Sequence, residues 1–99
     1  MKPVDKSSLA RWRTIDAATC LVALADFAKV DPSFAPRKDM HSTRWHANAN
    51  GQDFELLCTG PKFWDTRALR GGGGAVDLAM HLFGVDFKQA IAMLVAKSI

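Results

Sequence analysis

The dipeptide Asn50-Gly51 constrains this chain more than any other local feature. A two-residue type I′ hairpin turn needs positive φ at both central positions, and Asn followed by Gly is the pair that tolerates it best. Counting outward sets a register: Ala49 faces Gln52, Asn48 faces Asp53, Ala47 faces Phe54, His46 faces Glu55, Trp45 faces Leu56 and Arg44 faces Leu57. Alternate pairs share a face. Thr43, Trp45, Ala47, Phe54, Leu56 and Cys58 therefore form an apolar core face, while Arg44, His46, Asn48, Asp53, Glu55 and Leu57 point the other way. Thr59-Gly60-Pro61 marks a second reversal, and Lys62-Phe63-Trp64-Asp65-Thr66 reads as a third strand, which gives a three-stranded antiparallel meander.

Helical periodicity flanks the sheet. Ile15, Ala18, Leu21, Val22, Ala25 and Ala28 recur at helical spacing, so the pattern predicts one helix over Thr14–Lys29, capped by Thr14 and stopped by Pro32 and Pro36. Residues 1–13, with the tip Arg11-Trp12-Arg13, read as a flexible basic arm. Beyond the glycine run Gly71–Gly74, a second helix is expected over Ala75–Phe83, ended by Gly84. A third is capped by Asp86 with Gln89 in a capping box, and its apolar face carries Phe87, Ala90, Ile91, Leu94 and Val95. The fold expected for residues 14–99 is a single α+β domain: an N-terminal helix, the meander, and a C-terminal helical hairpin on one sheet face.

With 99 residues the chain builds one core, and a complete enzyme would be a tight fit. Thirteen Lys and Arg against ten Asp and Glu give a charge of +3, compatible with a polyanionic partner but not diagnostic of one. Cys20 and Cys58 stand far apart with no Cys-x-x-Cys, so both read as buried small hydrophobes in a reducing cytoplasm. No apolar run approaches the roughly 18 residues of a membrane span, and neither membrane contact nor export is expected. No catalytic set, metal site or cofactor site emerges. Glu55 is the single glutamate, no acidic cluster suits two-metal phosphoryl transfer, and no Lys-Ser/Thr follows the glycines as a P-loop requires. Asp77 and His81 lie four apart on one helix, a spacing read as an ordinary surface contact.

The stretch Phe63-Trp64-Asp65 followed by Gly73-Gly74-Ala75-Val76-Asp77-Leu78-Ala79-Met80-His81-Leu82-Phe83-Gly84-Val85-Asp86-Phe87-Lys88-Gln89-Ala90 resembles the zinc-ribbon domain of bacterial DnaG-type primases. That family runs aromatic strand, double glycine, helix, Gly, then a Phe-x-x-Ala helix. The likeness is closest to primase-like proteins of plasmids and mobile elements, in which such a module precedes a toprim catalytic domain. The chain departs from the family at its zinc ligands. Asp65-Thr66-Arg67-Ala68-Leu69-Arg70 stands where a Cys-x-x-Cys belongs, and Asp31-Pro32-Ser33-Phe34 lacks the preceding Cys and His. The resemblance thus implies the shape without the metal.

It also implies a non-catalytic replication module that contacts single-stranded DNA. The residues expected to carry that contact are Arg44, His46, Lys62, Trp64, Arg67 and Arg70, flanked by Arg37 and Lys38, with a phosphate at the amides of Gly72, Gly73 and Gly74. Two alternatives stay open for these residues. Asp53 and Glu55 can neutralise Arg44 and His46 into an ordinary solvated face, and the glycines can be a structural turn. A further alternative is a protein-interaction domain that docks a replicative helicase, a polymerase or a primase catalytic domain.

Overall fold

The computed structural model describes residues 6–99. In chain order the elements are α1 (Lys6–Thr14), α2 (Ala17–Leu24), β1 (Phe27–Val30), β2 (Thr43–Ala49), β3 (Gln52–Thr59), β4 (Lys62–Asp65), β5 (Arg70–Gly73), α3 (Ala75–Phe83) and α4 (Phe87–Ala96). The Asn50-Gly51 turn has φ of 52° and 75°, and every pair from Arg44↔Leu57 to Ala49↔Gln52 occurs in the expected register. The α+β class holds. The sheet, however, has five antiparallel strands in the order β1-β2-β3-β4-β5, so the expected meander is its centre and one strand is added at each edge.

The first added strand comes from the segment expected to continue the N-terminal helix. Asp16, not Thr14, caps a helix: its carboxylate accepts from the Thr19 amide at 3.2 Å, whereas the Thr14 hydroxyl bonds back to the Arg11 carbonyl at 3.3 Å and ends α1. The chain leaves α2 at Ala25, and Phe27-Ala28-Lys29-Val30 pairs with Asn48-Ala47-His46-Trp45 as β1. Alanine-rich periodicity fits either outcome, and the unpaired edge of β2 decides it. The basic arm is corrected too. Residues 1–5 lie outside the described residues, but from Lys6 the segment is helical and Trp12 is buried in the core.

The second added strand is made of glycines. Gly71 lies opposite Trp64; a methyl group there would collide with the Phe63 carbonyl oxygen and sit 3.1 Å from the indole. A strand can run beneath that ring only without side chains. Gly74, at φ 89°, then turns the chain into α3.

Helices cover the face bearing Phe54, Leu56, Cys58 and Phe63, and Leu21, Leu24, Leu78, Leu82 and Leu94 complete the core. Both cysteines lie within it. Burial pushes the Cys20 thiol up to about 11, and burial with the nearby Asp16 and Cys20 pushes Cys58 up to about 12. At pH 8 the thiolate fraction is therefore about one in 1,000 or lower. Neither thiol should react with an aromatic disulfide reagent on a timescale that labels both in urea; fast labelling of native protein would contradict this packing.

Candidate nucleic-acid interface

Among the described residues no helix covers the opposite sheet face. The register places Phe27 and Lys29 of β1, Arg44, His46 and Asn48 of β2, Asp53, Glu55 and Leu57 of β3, and Lys62 and Trp64 of β4 on it. The loop over residues 31–42 folds across part of this face, and Asp31 clamps it. Asp31 Oδ2 accepts from Arg44 Nε at 3.0 Å and Nη2 at 2.6 Å, and its Oδ1 accepts from the Ser33 amide at 2.9 Å. Hydrogen bonds from Ser33 and then Arg44 hold the Asp31 carboxyl well below the usual carboxylate range. The Phe34 ring lies 5.1 Å from the Arg44 guanidinium, and the hydroxyls of Ser42 and Thr59 bond at 2.6 Å. Between loop and sheet runs a groove of about 390 Å³ lined by Phe34, Pro36, Arg37, Lys38, Asp39 and Leu57.

This geometry divides the expected site. Arg44 does not offer its charge to a phosphate, because Asp31 and, at 3.4 Å, Glu55 already neutralise it. His46 lies 3.6 Å from the same Asp31 oxygen, and Asn48 donates to Asp53 at 2.9 Å. The β1–β3 half is thus a self-paired polar surface. The β4 side differs. Trp64 is 44% exposed, and its strand neighbour Leu57 forms part of the groove wall. Among the described residues Lys62, Arg67, Arg70, Arg37 and Lys38 make no ion pair. Arg67 lies in the β4–β5 turn, and Arg70, opposite Asp65, projects from the helix side of the edge strand. The phosphate cradle at Gly72, Gly73 and Gly74 is not available. The Gly73 amide donates to Asp77 Oδ2 at 3.1 Å and the Gly74 amide to the Pro61 carbonyl at 3.0 Å, so a carboxylate occupies the place of the anion.

A second polar cluster sits on the core side. Asp65, 4% exposed, is the buried charged side chain among the described residues. Its Oδ1 accepts from the amides of Arg67 and Ala68, each at 2.9 Å, and its Oδ2 accepts from His81 Nε2 at 2.6 Å. Burial pushes the Asp65 carboxyl up, but the Ala68 amide, His81 and the Arg67 amide outweigh it and the net shift is downward. The His81 ring lies between Phe54 and Phe63, with centroids 5.7 and 5.4 Å away. His81 thus reaches across to the sheet rather than pairing with Asp77. Packed against two phenyl rings and joined by the Asp65–His81 hydrogen bond, the pair is a structural tie between α3 and the β4–β5 turn. Among the described residues no three His, Cys, Asp or Glu side chains converge to hold a metal ion.

No family model matches the chain, and no solved structure matches it. A 41-residue stretch, 41% of this chain, is 46% identical to a segment of the "65 kDa protein" of Zymomonas mobilis subsp. mobilis, and the match spans 7% of that protein's length.

Proposed function

We propose that the domain is a non-catalytic single-stranded DNA-binding module of a primase-like replication protein. The observation that carries the reading is Trp64, exposed on the sheet face away from the core beside an apolar groove, with Lys62, Arg37 and Lys38 making no ion pair among the described residues. Bases stack on such a ring regardless of sequence, and Lys62, Arg37 and Lys38 follow the phosphates. The primase resemblance of residues 63–90 supports the same reading. Arg44 and His46 serve it indirectly, by pinning the loop that forms the groove. A protein-docking role has support of its own in Val22 and Val30, both exposed near the half-buried Trp45 on the other side of the sheet.

Fluorescence anisotropy with labelled oligonucleotides separates the two. With three or four phosphates contacted, log affinity should fall against log salt with a slope of about −2 to −3, at roughly −0.7 per contact, and micromolar or weaker binding is expected at physiological salt. Trp64→Ala should lose about 1–3 kcal/mol. Absence of binding at low salt, or binding untouched by Trp64→Ala, would leave the docking role.

A further inference from the structure

The tip of the β4–β5 hairpin has properties that neither the fold nor the sheet-face contact requires. Leu69 is 71% exposed and has a φ of 57°, a left-handed conformation that leucine seldom adopts. The turn that holds it there is rigid. Asp65 accepts from the Arg67 and Ala68 amides, the Leu69 amide donates to the Asp65 carbonyl at 2.9 Å, and the Thr66 hydroxyl donates to Glu55 Oε2 at 3.0 Å. His81 in turn fixes Asp65 from below. An apolar side chain is therefore presented outward on a braced support, where a glycine would satisfy the backbone without strain.

The charges around Leu69 indicate what it meets. Residues 66–74 contain no acid, and the carboxylates that reach this hairpin are engaged elsewhere: Asp65 by two amides and His81, Glu55 by the Thr66 hydroxyl and Arg44, and Asp77 by the Gly73 amide, while Arg67 and Arg70 make no ion pair among the described residues. Past Arg70 the strand is bare backbone, and the ring that lies over it is that of Trp64, opposite Gly71. One exposed apolar side chain flanked in sequence by two arginines without ion pairs complements stacked bases bordered by phosphates: the apolar group enters a base step and the arginines take the flanking backbone. Trp64 is the penultimate residue of β4, so at about 3.3 Å per residue a strand stacked on it lies close to the tip.

We infer that this hairpin tip is a wedge for nucleic acid: Leu69, between Arg67 and Arg70, enters the terminal base step where a single strand meets a duplex. The inference rests on the single-strand reading above and adds the DNA feature that the domain selects.

The test compares the full chain with Leu69→Gly and Leu69→Asn on a continuous single strand, a blunt duplex, and a duplex with a single-stranded tail carrying a fluorescent purine analogue in its last base pair. The unaltered protein should bind the tailed duplex about 10-fold more tightly than the single strand and brighten the analogue as it unstacks. Both variants keep a residue suited to positive φ, so they should melt no lower than the unaltered protein. They should hold single-strand affinity within about 2-fold, yet lose the junction preference and the brightening. If the unaltered protein binds single strands through Trp64 but shows no junction preference, or if Leu69→Gly keeps that preference, the wedge is wrong and the single-strand reading stands. Absence of binding to all three DNAs overturns both.

Discussion

Asp65→Ala should destabilise the domain by about 3–5 kcal/mol, because removing one member of a buried hydrogen-bonded pair leaves His81 without its partner and unties the turn amides that the carboxylate holds. Three donors are orphaned at once: His81 Nε2 and the amides of Arg67 and Ala68. His81→Phe should cost less, since Asp65 keeps both amides and the new ring sits among the phenyl groups of Phe54 and Phe63. Urea unfolding of both single variants and the double variant measures the coupling, expected within about 0.5–3 kcal/mol. A loss below about 0.5 kcal/mol for Asp65→Ala is what an exposed carboxylate would give, and would contradict the buried tie.

The same pair imposes a pH dependence. The folded Asp65 carboxyl is held below its unfolded value, so it binds a proton more readily when unfolded. Its contribution is then complete above the unfolded carboxylate value of about 3.9 and is lost as pH falls through the lower folded value. The Asp31 clamp shifts in the same direction. The difference in unfolding free energy between the unaltered protein and Asp65→Ala should accordingly shrink as pH falls from about 4 through the lower folded value.

Features set by neighbours in sequence were legible before any coordinates. The Asn50-Gly51 register and the Asp86–Gln89 capping box each depend on a few adjacent residues, and both form as expected. Features set by distant partners were not. The periodicity of Ala25 and Ala28 cannot distinguish helix from strand, because alanine is small enough for both; the open edge of β2 made the choice. Glycines argue against a strand on propensity, and β5 exists because the Trp64 ring needs empty space opposite it. Asp65 was legible in part, since alternation from Phe63 inward and Trp64 outward sends it into the core. Its partner was not, because His81 arrives sixteen residues later on a helix whose packing no local pattern specifies. For the candidate interface, the outward Trp64 follows from strand alternation and Lys62 from its place beside that strand in sequence, whereas the capture of Arg44 by Asp31 depends on how a thirteen-residue separation closes into a loop.

Trp12→Ala should be as damaging as the loss of Asp65, at about 3–5 kcal/mol, although it lies in a segment that reads as a polar arm. Its indole is 2% exposed, and its Nε1 donates to the Ile99 carbonyl at 3.0 Å, an oxygen that Arg11 Nη2 also reaches at 2.8 Å. On the other side its own carbonyl oxygen would sit 3.1 Å from any Cβ placed at Gly74, so α1 closes directly over the β5–α3 link. The ring thus joins the start of α3 to Ile99, and its removal opens a cavity between them. In a domain whose whole stability is about 5–15 kcal/mol, that is about 30–50% of a mid-range value, and at roughly 4–8 °C per kcal/mol the melting temperature should drop by at least about 12 °C. Trp12→Phe keeps most of the apolar surface and loses the hydrogen bond, so a smaller loss, on the order of 1–2 kcal/mol, is expected. A thermal melt of the three proteins distinguishes the two placements of this residue. If α1 were a loosely held arm, Trp12→Ala would move stability by no more than about 0.5 kcal/mol, and Trp12→Phe would be indistinguishable from it. Because Trp12 lies on the helix side of the sheet and Trp64 on the other, the loss should appear in stability while single-strand affinity, measured well below the melting temperature, stays unchanged.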